Sequence, residues 1–391
     1  MKKIITLIAL FVFIPALPLS AAEGKSKPPF VIIYNNDTTN IINCPTWYNV
    51  GKDYSFTEEK IRANVDETAD CGGVDVLMMA SGMGWEPWWK STALPMQQHT
   101  AWRTKRTGKP PTPFQTFVLQ GGDLIDTVTD EARKKKQTVF VTYRMNDGHH
   151  AFGAARIKDP VERATAMAIT QFYDENPQFL IGDVPAGTHE PSNHRYSMEF
   201  IHPQVREYRL QFIKELAQKD VDGIELDFMR FWFYFHPERS TSKQRADIMT
   251  QLVKEVRAAL DAHAKPGQRR YLCVRIPAYL EMMDAIGIDP VRLAKEAGVD
   301  MFNISGHYHS DMQNEAAKIK KMLPENVAVY TELHYVNARQ NRKIPFAREP
   351  DGSVTLFYDA RDIPADAKTL WVLRRTSDQA LITSAHMAYA R

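Results

Sequence analysis

The chain has 391 residues, 44% hydrophobic and 25% charged, an ordinary globular composition with ample length for a large core. A formal net charge of +2 leaves no basic footprint for nucleic acid. The one charge run, "RKKKQ" (133–137), is short and reads as the solvated end of a helix.

The first residues do not read as part of a fold. "MKK" is a basic n-region, "IITLIALFVFIPALPL" an apolar h-region, and "SAAEG" a small-residue cleavage site, so residues 1–22 are expected to be a signal peptide cut after Ala21 or Ala22. The cleavage site has no cysteine, so no lipid anchor is expected. Elsewhere no apolar run approaches the ~18 residues of a membrane span. The expectation is a soluble, monomeric bacterial protein, periplasmic or secreted, with no membrane contact after cleavage and with residues 29–391 as a single domain. Cys44, Cys71 and Cys273 allow one disulfide but show no framework spacing. Cys273, in "YLCVRIP", reads as a buried core thiol.

Short apolar, β-branched runs recur in chain order: "FVIIYNN" (30–36), "VDVLMMASG" (74–82), "TVFVTYRMND" (138–147), "VDGIELDF" (221–228), "YLCVRIPAY" (271–279), "MFNISGHYH" (301–309) and "VAVYTELHY" (327–335). Near-continuous apolar strands imply burial on both faces, as in parallel sheets. Between them lie helical patterns, among them "TEEKIRANVDETA", "GDLIDTVTDEARKKK", "PQVREYRLQFIKELAQK" and "DPVRLAKEAG". Strands alternating with helices make βαβ units, and seven of them fit an α/β (β/α)8 TIM barrel. No glycine-rich fingerprint follows the first strand, so no dinucleotide cofactor is expected. The eighth strand is harder to place. "GSVTLFYD" and "TLWVLRR" read as a loop excursion or short extra strands, and "SDQALITSAHMAYAR" as a helix. Either the eighth strand is absent or "TLWVLRR" (369–375) supplies it, and the reading favours absence, with a gap between the first and seventh strands.

In such barrels the active site lies at the C-terminal strand ends. The first strand end offers Asn35, Asn36 and Asp37, and the second Ser81, Trp85, Trp88 and Trp89. The third offers Arg144, Asn146, Asp147, His149 and His150, the fourth Glu225, Asp227 and Arg230, and the fifth Arg275. Ser305, His307 and His309 follow on the sixth, and Glu332 and His334 on the seventh. The strand beginnings read as apolar. Alternation turns Gly223, Glu225 and Asp227 to one side and Ile224, Leu226 and Phe228 to the other, so both carboxylates face the barrel axis. There they cost several kcal/mol unless paired, with Arg144, Arg230 or Arg275 as partners. Glu332 stands equally far along the seventh strand, across the mouth from Asp227. Glycoside hydrolysis uses such a pair, one group protonating the leaving oxygen and one acting as nucleophile or base. Asp227 and Glu332 are the expected pair, ~5–10 Å apart, with Glu225 third. The bland reading of each is a buried ion pair that plugs the barrel.

"HPQVREYRLQFIKELAQKDVDGIELDF" (202–228) resembles a run in TIM-barrel proteins called glycosyl-hydrolase-like, near family 10. There a P-x-V-R segment leads a helix into D-V-D-G-I and an acidic strand end, and an aspartate commonly stands at the place of Asp227. The strand is also similar to the D-G-x-D-x-D-x-E run of family-18 chitinases, but Met229 occupies the place of their acid. Its placement resembles the large retaining-glycosidase clan, whose acid/base glutamate follows an asparagine. Here Ile224 precedes Glu225.

Trp232, Phe233, Tyr234 and Phe235 follow the fourth strand, and "GMGWEPWWK" follows the second. Sugar rings stack on aromatic faces, so at least two of Trp85, Trp88, Trp89 and Trp232 are expected to line one cleft with Asp227. The alternative is a packed loop core. "NDGHH" and "SGHYH" are too scattered for zinc, and no metal is expected. Arg144, Arg230 and Arg275 with His150 and His307 suggest a cationic ring that would take a carboxylate or sulfate. Asn146 and Asp147 complete the expected substrate contacts. The sequence points to an exported glycoside hydrolase acting on a polysaccharide or oligosaccharide, anionic (sulfated or uronic), with carbohydrate as its partner. The alternatives are a non-catalytic glycan-binding barrel, and a barrel lyase or isomerase with His307 as base.

Overall fold

A computed structural model describes residues 26–39, 41, 55–70, 73–150, 169–185, 194–305, 314–334, 346–348, 354–356 and 380–385. Eight parallel strands form a closed barrel: β1 Ile32–Asn36, β2 Val76–Ala80, β3 Thr138–Arg144, β4 Gly223–Asp227, β5 Tyr271–Pro277, β6 Met301–Ser305, β7 Ala328–His334 and β8 Ala380–Ala385. Each bonds to its sequence neighbours, and β8 closes the ring between β7 and β1. The (β/α)8 class is the expected one, and all seven quoted runs contain strands.

The end of the chain corrects the expectation of a gap. Ile33 registers with Ile382, and Ile382 with Glu332, so β1 and β7 are joined through β8. That strand comes from "ALITSA", part of the segment read as a helix. Alanine and leucine suit a helix, but two ready strand edges outweigh a weak local preference. "TLWVLRR" (369–375) lies outside the described residues, as do residues 1–25, where the signal peptide was expected. Within "GSVTLFYD", Val354–Leu356 pairs antiparallel with Phe346–Arg348.

The interior is layered. Ile33, Val76, Met78, Phe140, Cys273, Met301, Ala328 and Tyr330 form an apolar plug, which accounts for the buried Cys273 thiol. Outward-facing Ile224, Leu226, Leu272 and Val274 join the main core with Val205, Leu210 and Ile213 of helix α1 (Pro203–Gln218) and Val253 and Val256 of helix α2 (Ser242–Ala262). Thr241 caps α2 through a reciprocal box with Gln244. Gly223 faces inward where a Cβ would lie 2.7 Å from the Tyr271 carbonyl and 2.8 Å from the Phe140 ring, so a side chain does not fit.

The strand beginnings are not wholly apolar, which is a second correction. Asp75, Asp222 and Asp300, each following a valine just before β2, β4 and β6, reach back to the preceding strand. Asp75 accepts from the amide of Ile32 (2.8 Å), Asp222 from that of Val139 (2.8 Å), and Asp300 from that of Leu272 (2.9 Å). Arginines also donate to two of these carboxylates: Arg133 to both oxygens of Asp222, Arg257 to the amide-bonded Oδ2 of Asp300, and Arg269 to its Oδ1. These carboxylates bind an amide within the first two residues of alternate strands and so satisfy those donors. Among the described residues no helix is long and apolar enough to cross a membrane.

Candidate active site

Above the apolar plug lie two polar layers. In the lower one Glu225 is fully buried. Its Oε1 accepts from Asn35 Nδ2 (2.7 Å) and Thr142 Oγ1 (3.1 Å), and its Oε2 from Asn303 Nδ2 (3.1 Å) and the Cys273 thiol (3.6 Å). Burial, and then the negative Asp227 nearby, push its carboxyl up to about 7. Glu225 therefore lies one layer deeper than Asp227 and Glu332, which are themselves only 3% and 1% exposed.

The upper layer centres on Arg275. Its Nη1 donates to Asp227 Oδ2 (2.9 Å), while Nε and Nη2 both donate to Glu332 Oε2 (3.1 and 2.8 Å). Nη2 also reaches Ser305 Oγ at 2.9 Å. One planar fork thus spans two carboxylates from β4 and β7. Burial works against the guanidinium charge, but Asp227 and Glu332 outweigh it and raise its pKa. Two hydrogen bonds and the width of the fork hold the nearest oxygens of Asp227 and Glu332 within about 8 Å.

Asp227 ends its strand for a local reason. Its Oδ1 accepts from the amides of Met229 (2.8 Å) and Arg230 (2.9 Å), which turns the chain sharply out of the barrel. Arg230 then donates to His149 Nε2 (3.0 Å), and His149 Nδ1 meets Asp147 Oδ1 at 2.5 Å. Burial, and next the positive Arg144, lower Arg230 to about 10. Burial alone would raise Asp147, but His149 and Arg144 hold it well below the usual carboxylate range. Arg144 contacts Asp147 at 3.3 Å and Asp37 at 3.9 Å. The result is a ring of alternating charge beside the Asp227–Arg275–Glu332 bridge.

Several expected substrate contacts are instead parts of the loop packing. Asn146 donates to the carbonyls of Met198 (2.8 Å) and Phe233 (2.5 Å), so it ties two loops together. His150 is buried against Tyr173 and bonded to the Tyr196 carbonyl, and burial depresses it to about 4. Trp85 and Trp88 are each 1% exposed. Trp88 stacks on Phe114 at 3.7 Å, and the Trp85 indole donates to the Asp147 carbonyl. Trp89 is likewise buried, its indole bonded to Glu215. These three present no open face for a sugar, because rings from distant segments cover them. Phe231, Phe233, Tyr234 and Phe235 are buried too, and Trp232 is half-buried beside Phe233. His307 lies outside the described residues.

Sequence reasoning missed Asn35, Thr142 and Asn303 as the cage of Glu225, and Ser305 as a partner of Arg275. Alternation along each strand was the available signal, since all four face inward in register. Among the described residues no group of three or more His, Cys, Asp or Glu is arranged to hold a metal ion.

No protein-family model matches the chain, and no curated protein matches it. Among solved structures it is similar to an α-galactosidase from Thermus thermophilus, with 13% identity, a TM-score of 0.39, and coverage of 79% of this chain and 53% of that one. A maltogenic α-amylase from Thermotoga neapolitana gives 10% identity and 0.38, covering 78% and 59%. A Group II chitinase domain from Ostrinia furnacalis gives 11% and 0.40, covering 91% and 89%. The chain spans little more than half the length of the first two. The barrel itself rests on the strand pairing above.

Proposed function

We propose that this protein is a glycoside hydrolase, acting on an oligosaccharide or polysaccharide through Asp227 and Glu332. The observation that carries the reading is that these two carboxylates, from strands three places apart round the barrel, are bridged at its C-terminal end by a single guanidinium. An acidic sugar, uronic or sulfated, fits the Arg144 and Arg230 side of the mouth, where a planar fork can grip a carboxylate or sulfate in two places. Export from a bacterium, following the N-terminal pattern, belongs to the same reading.

A second reading is favoured by the same bridge. Arg275 stands between the carboxylates, as in a buried ion-pair plug that confers little net stability, and this suits a barrel that binds glycans without cutting them. The test is reducing-end release from a panel of neutral, uronic and sulfated polysaccharides. Asp227→Asn and Glu332→Gln are each expected to lower turnover by about 10²-fold or more, the range for loss of an acid or base. Release that persists unchanged in both variants rules out the pair. Binding to the panel without any release would support the glycan-binding barrel instead.

A further inference from the structure

Glu225 is the buried titratable group that the proposed reaction does not use, and its surroundings fix its state independently of any substrate. Three carboxyl groups, Glu225, Asp227 and Glu332, face the axis within two adjacent layers, and one guanidinium, Arg275, serves them. Among the described residues its hydrogen bonds go to Asp227, Glu332 and Ser305. What touches Glu225 is neutral: two side-chain amides, one hydroxyl and one thiol. A second excess negative charge, two layers from water and next to Asp227, would have only dipoles to hold it.

The groups facing it are the following. From its own strand comes Asp227, from β5 Cys273 and Arg275, and from β7 Glu332. In the same layer β1, β3 and β6 present Asn35, Thr142 and Asn303, none of which ionises, and Arg144 of β3 registers with Asp227 nearer the mouth. On β8 the residues at this level, Ile382 to Ser384, have no acidic or basic side chain. Burial pushes the Cys273 thiol well up, so it stays neutral.

We propose that Glu225 stands in the barrel as a neutral carboxylic acid, donating its proton to Thr142 Oγ1. A hydroxyl accepts as readily as it donates, so the 3.1 Å contact between Glu225 Oε1 and Thr142 Oγ1 serves either direction. Asn35 and Asn303 keep donating to the acid's oxygens, and the amide cage links β1 and β6 to β4. Kept neutral, Glu225 leaves the charge at the mouth to the Asp227–Arg275–Glu332 bridge. While neutral, its burial is offset by the hydrogen bonds of the cage, whereas ionisation places an unpaired charge under the site.

The sign follows from proton uptake. An acid held near 7 when folded and near 4.5 when unfolded binds more protons in the native state between those values. Its favourable contribution is whole below about pH 4.5, is lost as pH rises towards 7, and stays lost above. Glutamine reproduces the neutral acid in shape and can donate to Thr142, but its NH2 cannot accept from Asn35 as the acid's hydroxyl does, so a pH-independent offset between the two proteins is expected and the pH dependence is the readout. The experiment compares melting temperatures of the full chain and Glu225→Gln from pH 4 to pH 9. The wild type is expected to fall relative to the variant between about pH 4.5 and 7 and to run parallel above. A difference that is flat with pH, or that grows the other way, overturns the proposal. Should Glu225→Gln not fold, infrared spectroscopy of the wild type decides. A neutral-carboxyl carbonyl band that titrates away near pH 7 supports the assignment, and its absence at pH 5.5 to 6 defeats it.

Discussion

The guanidinium of Arg209 lies 4.3 Å from the centre of the Trp85 ring. It is also 4.5 Å from that of Tyr143, and its nitrogens donate to the carbonyls of Arg144 and Met145. One side chain of α1 therefore fastens the loop after β2 to the end of β3, the strand that delivers Arg144 to the mouth. This explains why an arginine can be 1% exposed without a carboxylate in these contacts: two backbone acceptors and two ring faces take its place.

Arg209→Ala is expected to destabilise the protein by about 3 kcal/mol or more, since it strands two carbonyls and loses the ring contacts. Arg209→Lys should recover less than half of that, because an ammonium lacks the planar fork. Urea denaturation measures both. A loss under about 1 kcal/mol for the alanine variant would mean that the two carbonyls find other donors.

Arg275→Ala leaves Asp227 and Glu332 facing each other without their shared cation. The expected cost is about 3–5 kcal/mol, the range for breaking a buried pair from one side. Adding Asp227→Asn and Glu332→Gln to the same chain should restore part of the loss, because amides do not repel. A triple variant no more stable than Arg275→Ala would show that the bridge matters through packing rather than charge.

Asp147 gives a prediction at the acid end. Its folded pKa lies below the unfolded value of 3.8, so its contribution is fully present above that value and is lost as pH falls below it. Asp147→Asn should therefore lower the melting temperature at pH 7, and the gap from wild type should narrow below pH 3.8. Thermal scans across pH 2–7 test this, and a gap that widens in acid refutes the stated direction.

How far the sequence could be read follows the range of each interaction. Seven strands were legible because burial on both faces leaves a local mark, a run of apolar residues. Asp227 and Glu332 were legible from alternation and depth alone. The closing strand was not, because "ALITSA" is decided by the edges of β1 and β7 that receive it. The tryptophans misled for the same reason. Ring counts near a strand end say nothing of Phe114, Glu215 or Arg209, which cover them from elsewhere in the chain. The aspartates after Val74, Val221 and Val299 were in plain view. Their recurrence before alternate strands shows their purpose only once the preceding strand's amides are placed beside them.

Closure of the ring through β8 also sets a timetable. Ile32 and Leu381 are partners across roughly 350 residues of chain, among the most distant pairings a domain of this size can contain. Until the ribosome has delivered residues 380–385, β1 and β7 each keep one bare edge, and the nascent protein resembles an unzipped sleeve. The ring cannot close before those six residues lie between the two strands, so any guardian of the unfinished chain must cover those two edges.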